Sequence, residues 1–67
     1  MDSATPLARN LKQLRTERQW TFEDAAVATG FDAEVLEGLE RGSTFLSRTR
    51  LADLAERLGV RLDDLVN

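Results

Sequence analysis

The chain has 67 residues, and its 9 basic and 12 acidic side chains give it a net charge of −3. It contains neither Cys nor His, which excludes disulfides and thiolate or imidazole metal ligands, so we expect no metal site and no cofactor. No apolar run approaches the roughly 20 residues that span a bilayer, and residues 1–4 do not begin a secretion signal, so we expect a cytoplasmic protein.

The sequence predicts an all-α chain of five helices, because helix start and stop signals recur and nothing alternates with the period of strands. Thr5-Pro6 combines an N-cap with proline at the first helical position, and Thr21 begins a capping box. Asp32 and Ser47 are expected N-caps of two further helices, and glycines end the second, third and fourth helices. The expected helices are 6–18, 22–29, 33–41, 48–58 and 62–66, in one domain over 1–67 with 1–5 flexible.

Apolar residues at helical spacing predict one small core. Trp20 is expected to pack in the turn between the first two helices, as a core residue and not as part of a ligand pocket. The residues expected to be buried are Leu11, Leu14, Ala26, Phe31, Leu36, Leu39, Leu51, Leu54, Leu58, Val60 and Leu65.

Charge is distributed unevenly along the chain. Residues 1–18 carry a net charge of +2 and residues 41–67 a net charge of +1, whereas residues 19–40 carry −6 and no basic side chain. A DNA-binding protein gains much of its affinity from Lys and Arg beside phosphates. The acidic centre therefore conflicts with a DNA-binding function for that segment.

Four short motifs together resemble the Cro/Xre-type helix-turn-helix family, which includes phage repressors and many small bacterial regulators. The resemblance covers about residues 7–66 and implies a compact, five-helix, lambda-repressor-like domain. It also implies that the second and third helices form a DNA-reading unit and that the protein acts as a two-fold dimer. The motifs are Leu11-x-x-Leu14-Arg15, Ala25-Ala26-x-x-x-Gly30-Phe31, Leu36-x-x-Leu39-Glu40-Arg41-Gly42 and Leu54-Ala55-x-x-Leu58-Gly59-Val60.

The resemblance assigns roles to particular residues. Arg15 and Glu40 correspond to a structural pair that ties the first helix to the third. Phe22 stands where relatives place Gln or Ser to hold a phosphate, so it can offer only its backbone N–H. The base-contacting positions of the third helix are Ala33, Glu34 and Gly38: Ala can contact a thymine methyl, and Glu can accept a hydrogen bond from cytosine N4.

The remaining candidates lie beside the third helix. Glu37 would face the phosphates unfavourably. Three explanations are open for the glycine at position 38: it allows close helix packing, it allows a partner to approach closely, or it arose by drift at an exposed site. The basic and polar candidates either contact phosphates or are solvated surface residues; they are Arg41, Ser43, Arg48 and Arg50, with Arg9 and Lys12 on the first helix.

Phe45 and Leu46 are apolar residues in a loop that would normally be polar. They either close the small core or form, with Val66, a self-association surface, because this loop and the last helices form the dimer contact in relatives. A homodimer is the expected assembly.

Two functions remain after an enzyme is set aside for lack of His, Cys, Tyr and an evident pocket. The first is a sequence-specific regulator of transcription that binds double-stranded DNA as a homodimer. The second is a protein-interaction module, an antagonist or co-regulator of another regulator, whose acidic third helix and exposed Phe22 bind a cationic protein surface.

Overall fold

The computed structural model describes residues 5–67, which contain five α-helices. The all-α class predicted from the sequence is therefore confirmed. The first helix ends one residue before the predicted end. Of the residues expected to be flexible, 1–5, the first four lie outside the described residues, and Thr5 is the N-cap of the first helix. The helices are α1 (Pro6–Glu17), α2 (Phe22–Thr29), α3 (Ala33–Arg41), α4 (Arg48–Leu58) and α5 (Leu62–Val66).

Side-chain caps fix the beginnings of three helices. The Thr5 hydroxyl accepts a hydrogen bond from the Ala8 amide at 3.2 Å, and Ser47 accepts one from the Arg50 amide at 3.3 Å. Thr21 and Asp24 form the predicted capping box on α2. Asp32 occupies the N-cap position of α3, but its carboxylate makes no capping hydrogen bond, so the expectation that its side chain caps that helix is wrong.

Helix α1 ends differently from the other long helices. The helices α2, α3 and α4 end at glycines whose φ is +77°, a left-handed conformation that glycine adopts without steric cost. The same region is occupied after α1 by Gln19, with φ +59°. The turn into α2 therefore carries backbone strain that glycine would remove.

The core is formed by side chains from every helix and from the α2–α3 turn. Seven of the residues predicted to be buried are buried, whereas Leu14, Ala26, Leu51 and Val60 are only half-buried. The sequence missed the buried Ala25 and Thr29, because it placed Ala26, not Ala25, on the inner face of α2; Ala8 and Ala55 were missed as well. The buried apolar residues are Ala8, Leu11, Ala25, Phe31, Leu36, Leu39, Leu54, Ala55, Leu58 and Leu65.

The helices pack so that α3 lies against both α1 and α2, while α5 closes the structure against α1 and α4. Long-range hydrogen bonds join the last helices to the first. The Asn10 amide donates to the Leu65 carbonyl at 2.9 Å, and the Arg18 guanidinium donates to the Leu58 carbonyl at 2.9 Å. None of the helices in residues 5–67 combines the length and apolar character needed to cross a bilayer.

Candidate nucleic-acid interface

The turn between α2 and α3 is held by a buried threonine. The Thr29 hydroxyl donates to the Ala25 carbonyl at 2.7 Å and accepts from the Phe31 amide at 3.2 Å. The preceding turn of α2 and the following residue are thereby joined through one side chain, while Gly30 supplies the left-handed conformation between them. The relative orientation of α2 and α3 is consequently fixed by hydrogen bonds as well as by packing.

Arg15 connects α1 to both helices of this unit. Its guanidinium donates to both carboxylate oxygens of Glu40, from Nε at 2.7 Å and from Nη2 at 3.1 Å. It also donates to the Trp20 carbonyl at 2.9 Å and lies 4.2 Å from the centre of the Phe22 ring. The hydrogen bond with Glu40 raises the pKa of Arg15 above its ordinary value, against the opposing effect of burial. Arg15 therefore holds the end of α3 and the start of α2 together.

Phe22 is not the exposed residue that the protein-interaction hypothesis required. It is half-buried, packs against the core and stacks on Arg15. Together with Lys12 and Arg41 it lines an open groove of about 260 Å³. The capping box uses the amides of Thr21 and Asp24, so it does not engage the Phe22 N–H.

Two of the three acidic residues on α3 are neutralised within the protein. Glu40 is paired with Arg15, with side-chain exposures of 7% and 16%, and Glu37 is paired with Arg41 at 2.6 Å. Glu34 is exposed in the first turn of the helix and has no ion pair within residues 5–67. The strong negative charge of the sequence is therefore reduced, on α3, to one uncompensated carboxylate.

The predicted base-contacting residues are not equally accessible. Ala33 is half-buried and Glu34 exposed at the beginning of α3, but Gly38 is buried one turn further along. A Cβ placed on Gly38 would lie 2.8 Å from the Cβ of Thr44. Close packing against the following loop is thus the reason for glycine here, and the expectation that Gly38 lies on the base-contacting face is wrong.

Exposed basic residues surround α3 on the side of the α3–α4 loop. Arg41, Ser43 and Arg48 are exposed, as is Arg50, whose guanidinium lies 5.3 Å from the centre of the Phe31 ring. Since Phe31 precedes the N-cap of α3, this contact places Arg50 beside the start of that helix. The sequence alone had no signal for the Arg50–Phe31 contact, because it joins residues far apart in the chain.

The three residues proposed for self-association separate into two groups. Phe45 is 86% exposed, whereas Leu46 and Val66 are half-buried and pack against the core. Of the two interpretations of the loop, closure of the core fits Leu46, whereas Phe45 faces outward, as a self-association surface requires. Val27 on α2 is also 88% exposed, which the sequence analysis missed.

The described residues offer no large enclosed pocket to a small ligand. The space beneath the Arg15–Glu40 pair is about 10 Å³, the volume that a single water molecule needs, and the groove of about 260 Å³ beside Phe22 is open to solvent. No cluster of three or more acidic residues in residues 5–67 is placed to hold a metal ion. The features available for binding are therefore the exposed residues of α3, its loop and the start of α4.

Comparisons with known proteins agree with this architecture. A family model described as a helix-turn-helix domain matches residues 6–67. An uncharacterized HTH-type transcriptional regulator of Sinorhizobium fredii is 35% identical over 66 residues, which cover 98% of this chain and 86% of that protein.

Two solved structures are similar as well. An HTH_3 family transcriptional regulator from Vibrio cholerae superposes with a TM-score of 0.81 and 26% identity, over 92% of this chain but only 35% of that longer one. The restriction-modification controller protein C.AhdI from Aeromonas hydrophila gives a TM-score of 0.79 and 27% identity, over 92% of this chain and 94% of its own.

Proposed function

The chain belongs to the Cro/Xre-type helix-turn-helix family of transcriptional regulators, and on that premise we propose that it binds specific double-stranded DNA sequences as a homodimer. The observation that carries the proposal is the internal neutralisation of α3 by Arg15 and Arg41. It weakens the main objection from sequence, which was that an acidic recognition helix would repel the phosphate backbone.

In this proposal the first turn of α3 enters the major groove. Ala33 contacts a thymine methyl group, and Glu34 accepts a hydrogen bond from cytosine N4, the interaction that a carboxylate makes with bases. The carboxylate is exposed and has no intramolecular cation among the described residues to compete for it. Phosphate contacts are then required on either side of it to balance its charge.

Those phosphate contacts come from Arg41, Ser43, Arg48 and Arg50. Arg41 is paired with Glu37, but the pair is largely exposed, at 72% and 40%, and such i,i+4 pairs contribute only about 0.3–0.5 kcal/mol. A guanidinium has five N–H donors, so Arg41 can contact a phosphate while it stays paired with Glu37. Phe45 supplies the exposed apolar anchor for a second copy of the chain, as expected for a two-fold regulator.

The protein-interaction hypothesis is no longer supported by its original motives. Phe22 packs on Arg15 and does not project into solvent, and most of the α3 acids are already paired. A surface with one uncompensated carboxylate on α3 offers little attraction for a cationic partner.

A salt titration tests DNA binding directly. Fluorescence anisotropy with mixed duplex DNA begins near 20 mM salt, where the Debye length is roughly 20 Å and electrostatic attraction is least screened. We expect the logarithm of the affinity to fall linearly with the logarithm of the salt concentration. Absence of binding at the lowest salt would contradict the proposal.

Single arginine variants then locate the surface. Arg48→Ala and Arg50→Ala should each weaken binding and reduce the salt slope by about two, because each copy of the homodimer loses one phosphate contact. Arg61→Ala is the matched control, because it removes the same charge from an exposed residue. Arg61 is the N-cap of α5, which packs on α1 and α4. An equal effect of all three substitutions would mean that only net charge matters and that α4 does not face DNA.

A further inference from the structure

Gly38 is in contact with the loop that follows its own helix. A Cβ on Gly38 would lie 2.8 Å from the Thr44 Cβ, closer still to the Thr44 hydroxyl and 3.5 Å from the Ser43 hydroxyl. A Cβ atom essentially never lies within 3.0 Å of another carbon, so Thr44 occupies space that only glycine leaves free. The φ of Gly38 is not in the left-handed region, so the requirement for glycine here is one of space and not of backbone conformation.

The Gly38 carbonyl anchors the same loop by hydrogen bonds. It accepts from the Ser43 amide at 2.9 Å and from the Thr44 amide at 3.2 Å. The Ser43 hydroxyl is a third, weaker donor at 3.4 Å. The backbone of these two residues is therefore fixed to α3, while the long hydroxyl bond is easily exchanged for a stronger acceptor.

The direction of the loop side chains follows from this anchor. Residues 43–47 are not helical, and burial alternates along them: Ser43, Phe45 and Ser47 are exposed, whereas Thr44 and Leu46 are half-buried. Thr44 and Leu46 face the protein, whereas Phe45 between them is 86% exposed. A shift of the loop by one residue would turn Phe45 inward and displace Ser43 from the end of α3.

We infer that Gly38 is a positioning residue for DNA binding, which places the Ser43 hydroxyl against a phosphate by admitting Thr44 to the surface of α3. This inference rests on the proposed DNA-binding function. Gly38 itself touches no DNA, since it is buried beneath the loop. Its effect passes through the register of residues 43–46.

A double-mutant cycle tests the inference. Ser43→Ala in the parent protein should lower the affinity for the selected DNA site about tenfold for each bound copy of the chain, because each copy loses one hydrogen bond to a charged group. Gly38→Ala should produce a loss of about the same size, because it displaces the hydroxyl. Ser43→Ala added to Gly38→Ala should then change the affinity by less than about twofold, since the contact is already gone.

A purely structural role of Gly38 predicts a different cycle. If Gly38→Ala only lowered the folded fraction, Ser43→Ala would retain its full effect in that background, and this result would overturn the inference. Binding is compared at protein concentrations corrected for the folded fraction by circular dichroism. The double variant Gly38→Ala/Thr44→Gly lacks the obstructing side chain. In that background Ser43→Ala should again lower the DNA affinity as it does in the parent protein.

A second variant guards against failure of Gly38→Ala to fold. Thr44→Leu overfills the same contact from the loop and leaves α3 unchanged, so it should likewise abolish the effect of Ser43→Ala; an unchanged effect counts against the inference. If the parent protein binds no duplex, the proposed function fails and this inference with it. If the parent binds but both cycles are additive, only the role of Gly38 is refuted.

Discussion

Removal of Arg15 should destabilise this protein far more than removal of any other arginine. Arg15→Ala would leave the Glu40 carboxylate, only 7% exposed, without its cation and without two hydrogen bonds. Stranding one member of a buried pair costs about 3–5 kcal/mol. A core of this size seldom supplies more than about 3–5 kcal/mol in total, so we expect Arg15→Ala to be largely unfolded at 25 °C.

The cost should come from the stranded charge and not from loss of a strong attraction. Arg15→Met/Glu40→Leu removes both charges and should cost only about 1–2 kcal/mol, mainly because the Trp20 carbonyl loses its donor. The double variant should thus be more stable than either single variant. Urea denaturation followed by circular dichroism measures the unfolding free energies of the parent and the double variant, and circular dichroism without urea gives the folded fractions of Arg15→Met and Glu40→Leu.

The Asp53–Arg57 pair is the matched control. It joins residues four apart on α4 and is half exposed, at 49% and 52%, so Arg57→Ala should cost about 0.3–0.5 kcal/mol from loss of the pair. If Glu40→Ala lowers the free energy of unfolding no more than Asp53→Ala does, burial of the Arg15–Glu40 pair does not raise the cost of breaking it.

The contribution of Arg15 to the free energy of unfolding should also stay constant between roughly pH 6 and 9. Its pKa is raised in the folded protein by the hydrogen bond with Glu40. A raised pKa gives stability that is present below the unfolded-state value and is lost only as pH rises through the folded-state value. The parent and Arg15→Met/Glu40→Leu should therefore differ in unfolding free energy by the same amount at every pH between roughly 6 and 9. A decline of that difference within this range would contradict a raised pKa for Arg15.

Three further predictions concern single residues. Thr29→Val keeps the shape of the side chain but strands the Phe31 amide, so it should cost about 1–2 kcal/mol in urea denaturation, whereas Thr29→Ser should cost less. A larger loss for Thr29→Ser than for Thr29→Val would show that the methyl group contributes more than the hydroxyl. Gln19→Gly should raise the unfolding free energy by about 0.5–1 kcal/mol, since glycine adopts φ +59° without strain; a loss would mean that the turn is not strained. Glu34→Gln should strengthen DNA binding and shift one position of the selected site from cytosine to adenine, as measured by selection from random duplexes. An unchanged preference would mean that Glu34 does not contact that base.

Local sequence signals were sufficient to locate the helices. Caps and glycines act within a few residues, so Thr21, Ser47 and the three terminating glycines could be interpreted without knowledge of the fold. The end of α1 was less certain, because its left-handed residue is Gln19 and not glycine. The DNA-contacting roles remain predictions, since they concern a partner that the chain itself does not contain.

The burial of individual residues was harder to predict. Ala25 and Ala26 are adjacent and chemically identical, and only packing of α2 against α3 and α4 decides which one faces inward. Thr29 follows Ala25 by one turn, so it is buried on the same face, with its hydroxyl fully engaged. A polar residue of this kind cannot be distinguished from a surface residue by composition.

The sequence by itself determined the helices, the family and the overall charge, because each depends on residue type and on spacing along the chain. Only the tertiary structure decided how that charge acts and which residues are accessible. The resemblance had already assigned the pair of Arg15 and Glu40, and the structure added that this pair is largely buried, that Phe22 packs on Arg15 and that Thr44 covers Gly38. Electrostatic and steric interactions depend on distance in space, and the distance between residues remote in sequence is set by folding.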